Sequence, residues 1–159
     1  ITNNKIDNIQ TLEIDKDTIP SRAKRKVKHN SIIYSTVRPT LCHFGLIKNP
    51  PDNLIVSTGF VVIDTNKELL AEYVFLFLTS GELIQYFQSK AEMSVSTYPS
   101  IKPEDLLEAK ILIPDNKTLI NLKQILEPIY NLQLNKNSES KNLEILKETL
   151  LSKIATIEG

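Results

Sequence analysis

Between Lys16 and Lys48 the chain carries eight cationic side chains, Lys16, Arg22, Lys24, Arg25, Lys26, Lys28, Arg38 and Lys48, against one acid, Asp17. This local excess sits inside a protein of 159 residues with zero formal net charge, so the remainder is correspondingly acidic. Zero net charge by itself argues against a polyanion partner, but placement along the chain matters more than the sum. All three arginines, Arg22, Arg25 and Arg38, lie in this window, and arginine is the cation whose planar fork fits phosphate or guanine with two parallel hydrogen bonds. The run Ser21-Arg22-Ala23-Lys24-Arg25-Lys26-Val27-Lys28 reads as a loop before a strand, where several cations can meet a phosphate backbone. A solvated charged loop is the competing reading. Arg38 stands between a strand and Pro39, where proline restricts the preceding backbone and aims the guanidinium reproducibly; capping a turn or pairing with an acid is the alternative. Tyr98, with Ser96, Thr97 and Ser100 around Pro99, offers hydroxyls to phosphates or bases, or forms a simple turn.

Other chemistries find little support. Cys42 is the sole cysteine, so no intrachain disulfide forms, and with only His29 and His43 beside it a structural zinc site is not expected. Neither histidine has a partner at catalytic or metal-ligand spacing. A hydrolase using Cys42 with His43 or His29 ranks far below the other readings, because adjacent side chains on an extended segment point to opposite faces. Four glycines and no glycine-rich phosphate loop exclude the usual nucleotide-binding motifs. No Asn-Pro-Pro-Tyr or Asp-Pro-Pro-Tyr run of the kind amino-methyltransferases carry is present. The expectation is a non-enzyme without metal or cofactor.

The elements that must position these residues are legible to different degrees. Thr11-Leu12-Glu13-Ile14 suggests a short edge strand. Ser31–Val37 is β-branched and aromatic, and Pro39 ends it for want of an amide proton. Leu54–Asp64 is a second β-rich run in which Gly59 marks a bulge or a close backbone approach. From Lys67 to Lys90, Leu69, Leu70, Tyr73, Val74, Phe77, Leu78, Leu83, Ile84 and Phe87 recur at helical spacing, with a break at Ser80-Gly81. Tyr98–Ile101 reads as extended, Lys102-Pro103-Glu104-Asp105-Leu106 as a brief helical turn, and Ile111-Leu112-Ile113-Pro114 as a short strand. These elements make a mixed α/β (α+β) domain over residues 1–115. With 41% hydrophobic residues it has enough apolar material for a real core. Residues 116–159 follow a different rule: Leu122, Ile125, Ile129, Leu132, Lys136, Glu139, Leu143, Leu146, Leu150, Lys153 and Ile157 alternate by three and four. Such a seam is a coiled-coil register, charged in the middle at Lys136 and Glu139. It forms one long helix or two, bent at Pro128, and needs a partner helix. Leu122, Ile125, Ile129, Leu132, Leu143, Leu146, Leu150 and Ile157 are its packing residues. No stretch of about 20 apolar residues or secretory pattern occurs, so the expected setting is soluble and cytoplasmic. A first residue of Ile suggests a fragment or processed product.

Four segments in order carry a family resemblance: Ile19-Pro20-Ser21-Arg22-Ala23 leading into Ile32–Pro39, then Val56–Val62, then Tyr98-Pro99-Ser100-Ile101, then a strand and a long helix. The chain resembles one target recognition domain of a type I restriction-modification specificity subunit, with its conserved helix, over about residues 11–158. The resemblance implies reading one half of a bipartite DNA target. Adenine methylation and cleavage would belong to separate modification and restriction subunits. The helix would dock the modification subunit, and through it the restriction subunit. It would also pack against a second long helix, from another recognition half or a homodimer mate. Two departures stand out: Ile113–Thr118 has one proline and no glutamine where the family usually has a proline-rich, glutamine-containing opening, and the upstream part of the domain is missing or shortened. Within this frame Arg22, Lys24, Arg25 and Lys26 are expected mainly on phosphate and Arg38 with Ser35 or Tyr98 on the base-reading surface, while Lys28 and Ser100 are further DNA-binding candidates. The rival reading is an oligomerisation or scaffold module in which the heptad helix is the whole function.

Overall fold

The computed structural model describes residues 1–6, 9–13, 17–66, 68–93 and 98–157, with side chains through 155. Residues 1–123 form one compact unit and 124–159 a second.

Among the described residues five strands, β1 (Ala23–Lys26), β2 (Ile32–Ser35), β3 (Phe44–Leu46), β4 (Ile55–Ser57) and β5 (Phe60–Ile63), make two small sheets. One is a β1–β4 ribbon and the other has the order β3-β2-β5. Every pairing is antiparallel, so the sheets are not mixed in strand direction. Strand β2 is the centre, with Ile32 opposite Leu46 and Ile63, and Tyr34 opposite Phe44 and Val61. Its apolar residues run without polar interruption because both faces are covered. On one face Tyr34 meets Phe44 (5.5 Å between ring centroids) and Phe87 (6.0 Å), and Phe44 meets Phe75 (5.9 Å). On the other, Ile33 packs with Val27 and Ile47, flanked by half-buried Val56, Phe60 and Val62. Period-two alternation thus separates two apolar clusters.

Helices α1 (Ala71–Leu78) and α2 (Gly81–Glu92) follow β5, divided at Ser80 as the sequence leads one to expect. Ser80 caps α2 by accepting the Leu83 amide at 3.4 Å. Helix α3 (Pro103–Leu107) opens with proline in its first turn, and Asp105 accepts the Lys102 amide at 2.7 Å. A buried ion pair joins the chain after β3 to α1: Lys48 Nζ donates to Glu72 and to Asn30, with both charged side chains under a tenth exposed.

Four expectations change. The basic stretch 23–26 is itself a strand, not a loop, because β4 supplies a hydrogen-bonding partner. Strand β3 was not foreseen; only its pairing with β2 makes Phe44-Gly45-Leu46 a strand. The open edge of β3 is met by the N-terminal segment, where the Leu46 amide donates to Asn4 Oδ1 at 2.7 Å and the end of the Ile1 side chain sits against Gly45, where a β-carbon would make it shift. Thr11-Leu12-Glu13 joins no strand among the described residues; the Glu13 amide donates to the Asp17 carboxylate at 2.7 Å and its carbonyl accepts the Asp17 amide at 2.8 Å, local bonds that compete with a ladder. Ile111–Pro114 has no strand partner among the described residues. Ile14, the last residue of the expected edge strand, and Lys67, the start of the helical pattern, lie outside the described residues.

Helix α4 (Asn116–Ile157) is a single helix of 42 residues with Pro128 inside it, about 63 Å long at 1.5 Å per residue. Asp115 starts it, accepting the Thr118 amide at 2.7 Å.

Candidate nucleic-acid interface

Strand β1 pairs Ala23 with Ser57, Arg25 with Val56 and Lys26 with Ile55, so Lys24 is an extra residue in the ladder. Such a bulge twists the strand and breaks strict alternation. Lys24, Arg25 and Lys26 are all exposed as a result, and none forms an ion pair among the described residues. Other cations of the window are committed internally. Lys28 pairs with Asp64 at 2.9 Å while remaining well exposed, and Lys48 is buried on Glu72. Lys16 lies outside the described residues.

Arg22 precedes the ribbon. Its carbonyl accepts the Thr58 amide at 2.8 Å, and its Nε donates to Thr58 Oγ1 at 3.5 Å. Its guanidinium lies over Gly59, where a β-carbon would come within 3.1 Å of Nη2. Gly59 lies in a turn, not a bulge, and the atoms nearest it belong to side chains; the chain passes there from one sheet to the other without a hairpin pairing of β4 and β5.

Past Gly59 the backbone links continue. Thr36 donates to the Gly59 carbonyl at 3.3 Å, Ile101 donates to the Thr36 carbonyl at 2.9 Å, and Arg38 donates to the Pro99 carbonyl at 3.0 Å. Val37 bridges Ser100. These bonds fasten the Tyr98–Ile101 segment beside the end of β2. Arg38 adopts a left-handed backbone (φ 47, ψ 73) ahead of the helical turn Pro39–Leu41. That region costs a non-glycine residue on the order of 1–3 kcal/mol and persists only where surrounding bonds determine it. Its rigidity thus comes from the Pro99 link and a turn closed by the Leu41 amide on the Arg38 carbonyl at 2.9 Å, not from the extended geometry expected before proline. The guanidinium then stacks over the Tyr98 ring, 5.8 Å from its centroid, within cation–π range. Both side chains are exposed. The Ser35 hydroxyl is engaged in its own turn, accepting the Val37 amide at 3.3 Å, and Ser100 is half-buried. Ser96 and Thr97 lie outside the described residues.

The structure thus brings Arg22, Ser35, Arg38, Tyr98 and Ser100 to connected positions around Thr36 and Gly59. Lys24, Arg25 and Lys26 continue outward on the ribbon. Thr58 and Pro99, which bond the arginines, and Thr36, which links Gly59 to Ile101, are not singled out by the sequence; their signal is membership in the conjunction of Thr36-Val37-Arg38, Ser57-Thr58-Gly59 and Tyr98-Pro99 segments. His29 accepts the Asn49 amide on Nδ1 at 3.2 Å, the His43 carbonyl accepts the Ser35 amide at 2.8 Å, and the Cys42 thiol faces the Thr40 carbonyl at 3.5 Å from a left-handed residue. Among the described residues no group of three or more His, Cys, Asp or Glu is placed to hold a metal ion, and no helix is long and apolar enough to cross a membrane.

Along α4, Ile125, Ile129, Leu132, Leu143, Leu146 and Leu150 are each at least half exposed, while Leu122 is half-buried. The two charged seam positions satisfy one another, Lys136 Nζ lying 2.8 Å from Glu139. The side chain of Ile157 lies outside the described residues.

The chain thus combines a small α/β unit, with a bulged basic strand and an arginine–tyrosine stack, and a long helix with an exposed apolar seam. Over 127 aligned residues the chain is 34% identical to the specificity subunit of the type I restriction enzyme HindI from Haemophilus influenzae, covering 76% of this chain and 28% of that protein. It superposes on the HsdS subunit from Thermoanaerobacter tengcongensis with a TM-score of 0.54 and 26% identity, covering 80% of this chain and 34% of that one. It matches equally well (TM-score 0.54, 26% identity, 86% and 36% covered) a chain from a type I restriction-modification system solved for its complex assembly and conformational transition. No protein-family model matches. The chain is similar to the type I restriction-modification specificity subunits, and spans about a third of the length of the relatives it matches; that span fits one recognition domain. The α/β architecture with a long C-terminal helix is that of their domain.

Proposed function

We propose that this chain reads one half of a bipartite DNA target for a type I restriction-modification system, without catalysing a reaction itself. Residues 1–115 are the reading domain, and residues 116–159 are the arm that docks the modification subunit and packs against a second long helix. The observation that carries this reading is the similarity to specificity subunits over most of the chain. The bulged ribbon supplies the chemistry: Lys24, Arg25 and Lys26 are exposed cations with no acid partner among the described residues, suited to phosphate. Lys28 can join them by leaving Asp64.

The test is duplex binding by the protein reconstituted with its modification subunit. Replacing Lys24, Arg25 and Lys26 with Ala weakens binding and flattens its dependence on the logarithm of salt concentration by up to about 0.9 for each phosphate no longer neutralised. An unchanged slope overturns this footprint. The exposed seam of α4 also suits a scaffold. Sedimentation with and without DNA separates the two, because association through α4 with no DNA binding beside the methyltransferase partner supports the scaffold alone.

A further inference from the structure

The cations at this surface fall into two physical kinds. Lys24, Arg25 and Lys26 project from a bulged edge ribbon, and no ion pair or side-chain hydrogen bond fixes them among the described residues. That freedom suits a backbone of repeating negative charge that any rotamer can reach. Arg22 and Arg38 are each held. Arg22 is laid on Gly59 and tethered through Nε to Thr58. Arg38 leaves a left-handed backbone pinned to Pro99 and stacks on Tyr98. In each the terminal amino groups have no carboxylate partner among the described residues, so the fork that donates two parallel hydrogen bonds is unspent. Holding an arginine by its Nε or its face, while leaving its end free, removes side-chain entropy before the ligand arrives and favours directional recognition over charge alone. The two are also joined by a short backbone path, Arg22 to Thr58 and Gly59, then Thr36, then Arg38.

We propose that Arg22 and Arg38 are the base-reading pair, each addressing the O6 and N7 edge of a guanine in the major groove, and that the half-site this domain reads contains guanine at both positions. This moves Arg22 from the phosphate set to the reading surface, and it rests on the DNA-reading function proposed above. Guanine is the base whose major-groove edge offers two adjacent acceptors, the match for an open guanidinium fork.

The experiment selects binding sites from a randomised duplex library with the protein reconstituted with its modification subunit. It then measures affinity for the selected duplex and for copies carrying 7-deazaguanine, which lacks the N7 acceptor, at one position at a time. In the unaltered protein, deazaguanine at each of two positions weakens binding by about five- to 150-fold. Arg38→Ala makes binding insensitive to the substitution at one position, and Arg22→Ala at the other, each leaving the second position intact. Arginine variants that weaken binding to every duplex alike, with deazaguanine still costly, overturn the pairing and leave sequence-specific binding standing. Selection of a motif in which neither variant changes any guanine preference overturns it too. An unaltered protein that selects no motif overturns the DNA-reading function itself.

Discussion

The Arg38 guanidinium lies over the Tyr98 ring, 5.8 Å from its centroid, although the two residues belong to segments far apart in the chain. They meet because Arg38 donates its amide to the Pro99 carbonyl and Val37 bridges Ser100. The stack is therefore the outer end of a backbone junction, and its face can be altered without opening the core.

Tyr98→Ala should lower affinity for the selected duplex by about two- to sixfold, the equivalent of about 0.5–1 kcal/mol for an exposed cation–π interaction. Tyr98→Phe should retain most of it, since the ring remains. Thermal unfolding should hardly change in either, because Tyr98 is exposed. Equal losses in the two variants would show that the phenol hydroxyl, not the ring, is what binding uses.

Glu72→Ala should destabilise residues 1–123 by about 3–5 kcal/mol, because it leaves the Lys48 ammonium buried without its partner. Replacing both members, Lys48→Met with Glu72→Leu, should recover much of that loss by removing the stranded charge. Urea denaturation of the single and double variants checks both. A single variant as stable as the parent would mean that Asn30 and solvent suffice for Lys48.

Tyr34 is almost wholly buried, and its hydroxyl has no hydrogen-bond partner among the described residues. Burial, with a smaller contribution from nearby Cys42, pushes its ionisation well above the ordinary tyrosine range. Tyr34→Phe keeps the ring packing against Phe44 and Phe87 while removing an unsatisfied group. It should raise stability by about 1–3 kcal/mol, measured as a shift of the urea midpoint. A loss of stability instead would reveal a bond to the hydroxyl.

Acid should loosen two helix starts. The Thr118 amide, followed by its side chain, holds the Asp115 carboxyl below its ordinary value, and Lys90 followed by the Lys102 amide does the same for Asp105. For a group depressed in the folded state, the stabilisation is full above the ordinary value of 3.8 and is lost as pH falls through the lower folded value. Lys90 works in the opposite sense: the Asp105 bond raises it, so its contribution is present below 10.5 and fades as pH rises through the higher folded value. Amide exchange at Thr118 and Lys102, whose amides the two carboxylates accept, compared across about pH 2–5 after correction for the intrinsic rate, should show protection falling with acid. Asp115→Asn should remove most of that pH dependence at Thr118 while preserving a cap.

The helices and the arm were legible because their signals are local. Apolar residues at helical spacing, Ser80-Gly81 as a break, Pro103 in a first turn and the three-four alternation beyond residue 116 each act within a few positions. Strand β2 was legible because burial on both faces demands an unbroken apolar run. Strand β3 was not, since three residues such as Phe44-Gly45-Leu46 have no period of their own and become a strand only on the edge of β2. The described part of the expected edge strand, Thr11-Leu12-Glu13, shows the converse: it finds no strand partner among the described residues, and the Glu13 amide donates instead to the Asp17 carboxylate.

The sequence by itself determined the inventory of this surface: where the arginines concentrate, that Tyr98-Pro99-Ser100 could accompany them, and that a seam runs from Leu122 onward. Residue types and short spacings carry that information directly. Only the tertiary structure decided which cations are available and which are held. Lys48 and Lys28 are drawn to acids, Lys24, Arg25 and Lys26 are set outward by a bulge, and Arg22 and Arg38 are fixed on Gly59 and Tyr98. Those outcomes depend on pairings between distant segments, and an ion pair or a stacked ring is a property of distance in space, which spacing along a chain does not specify.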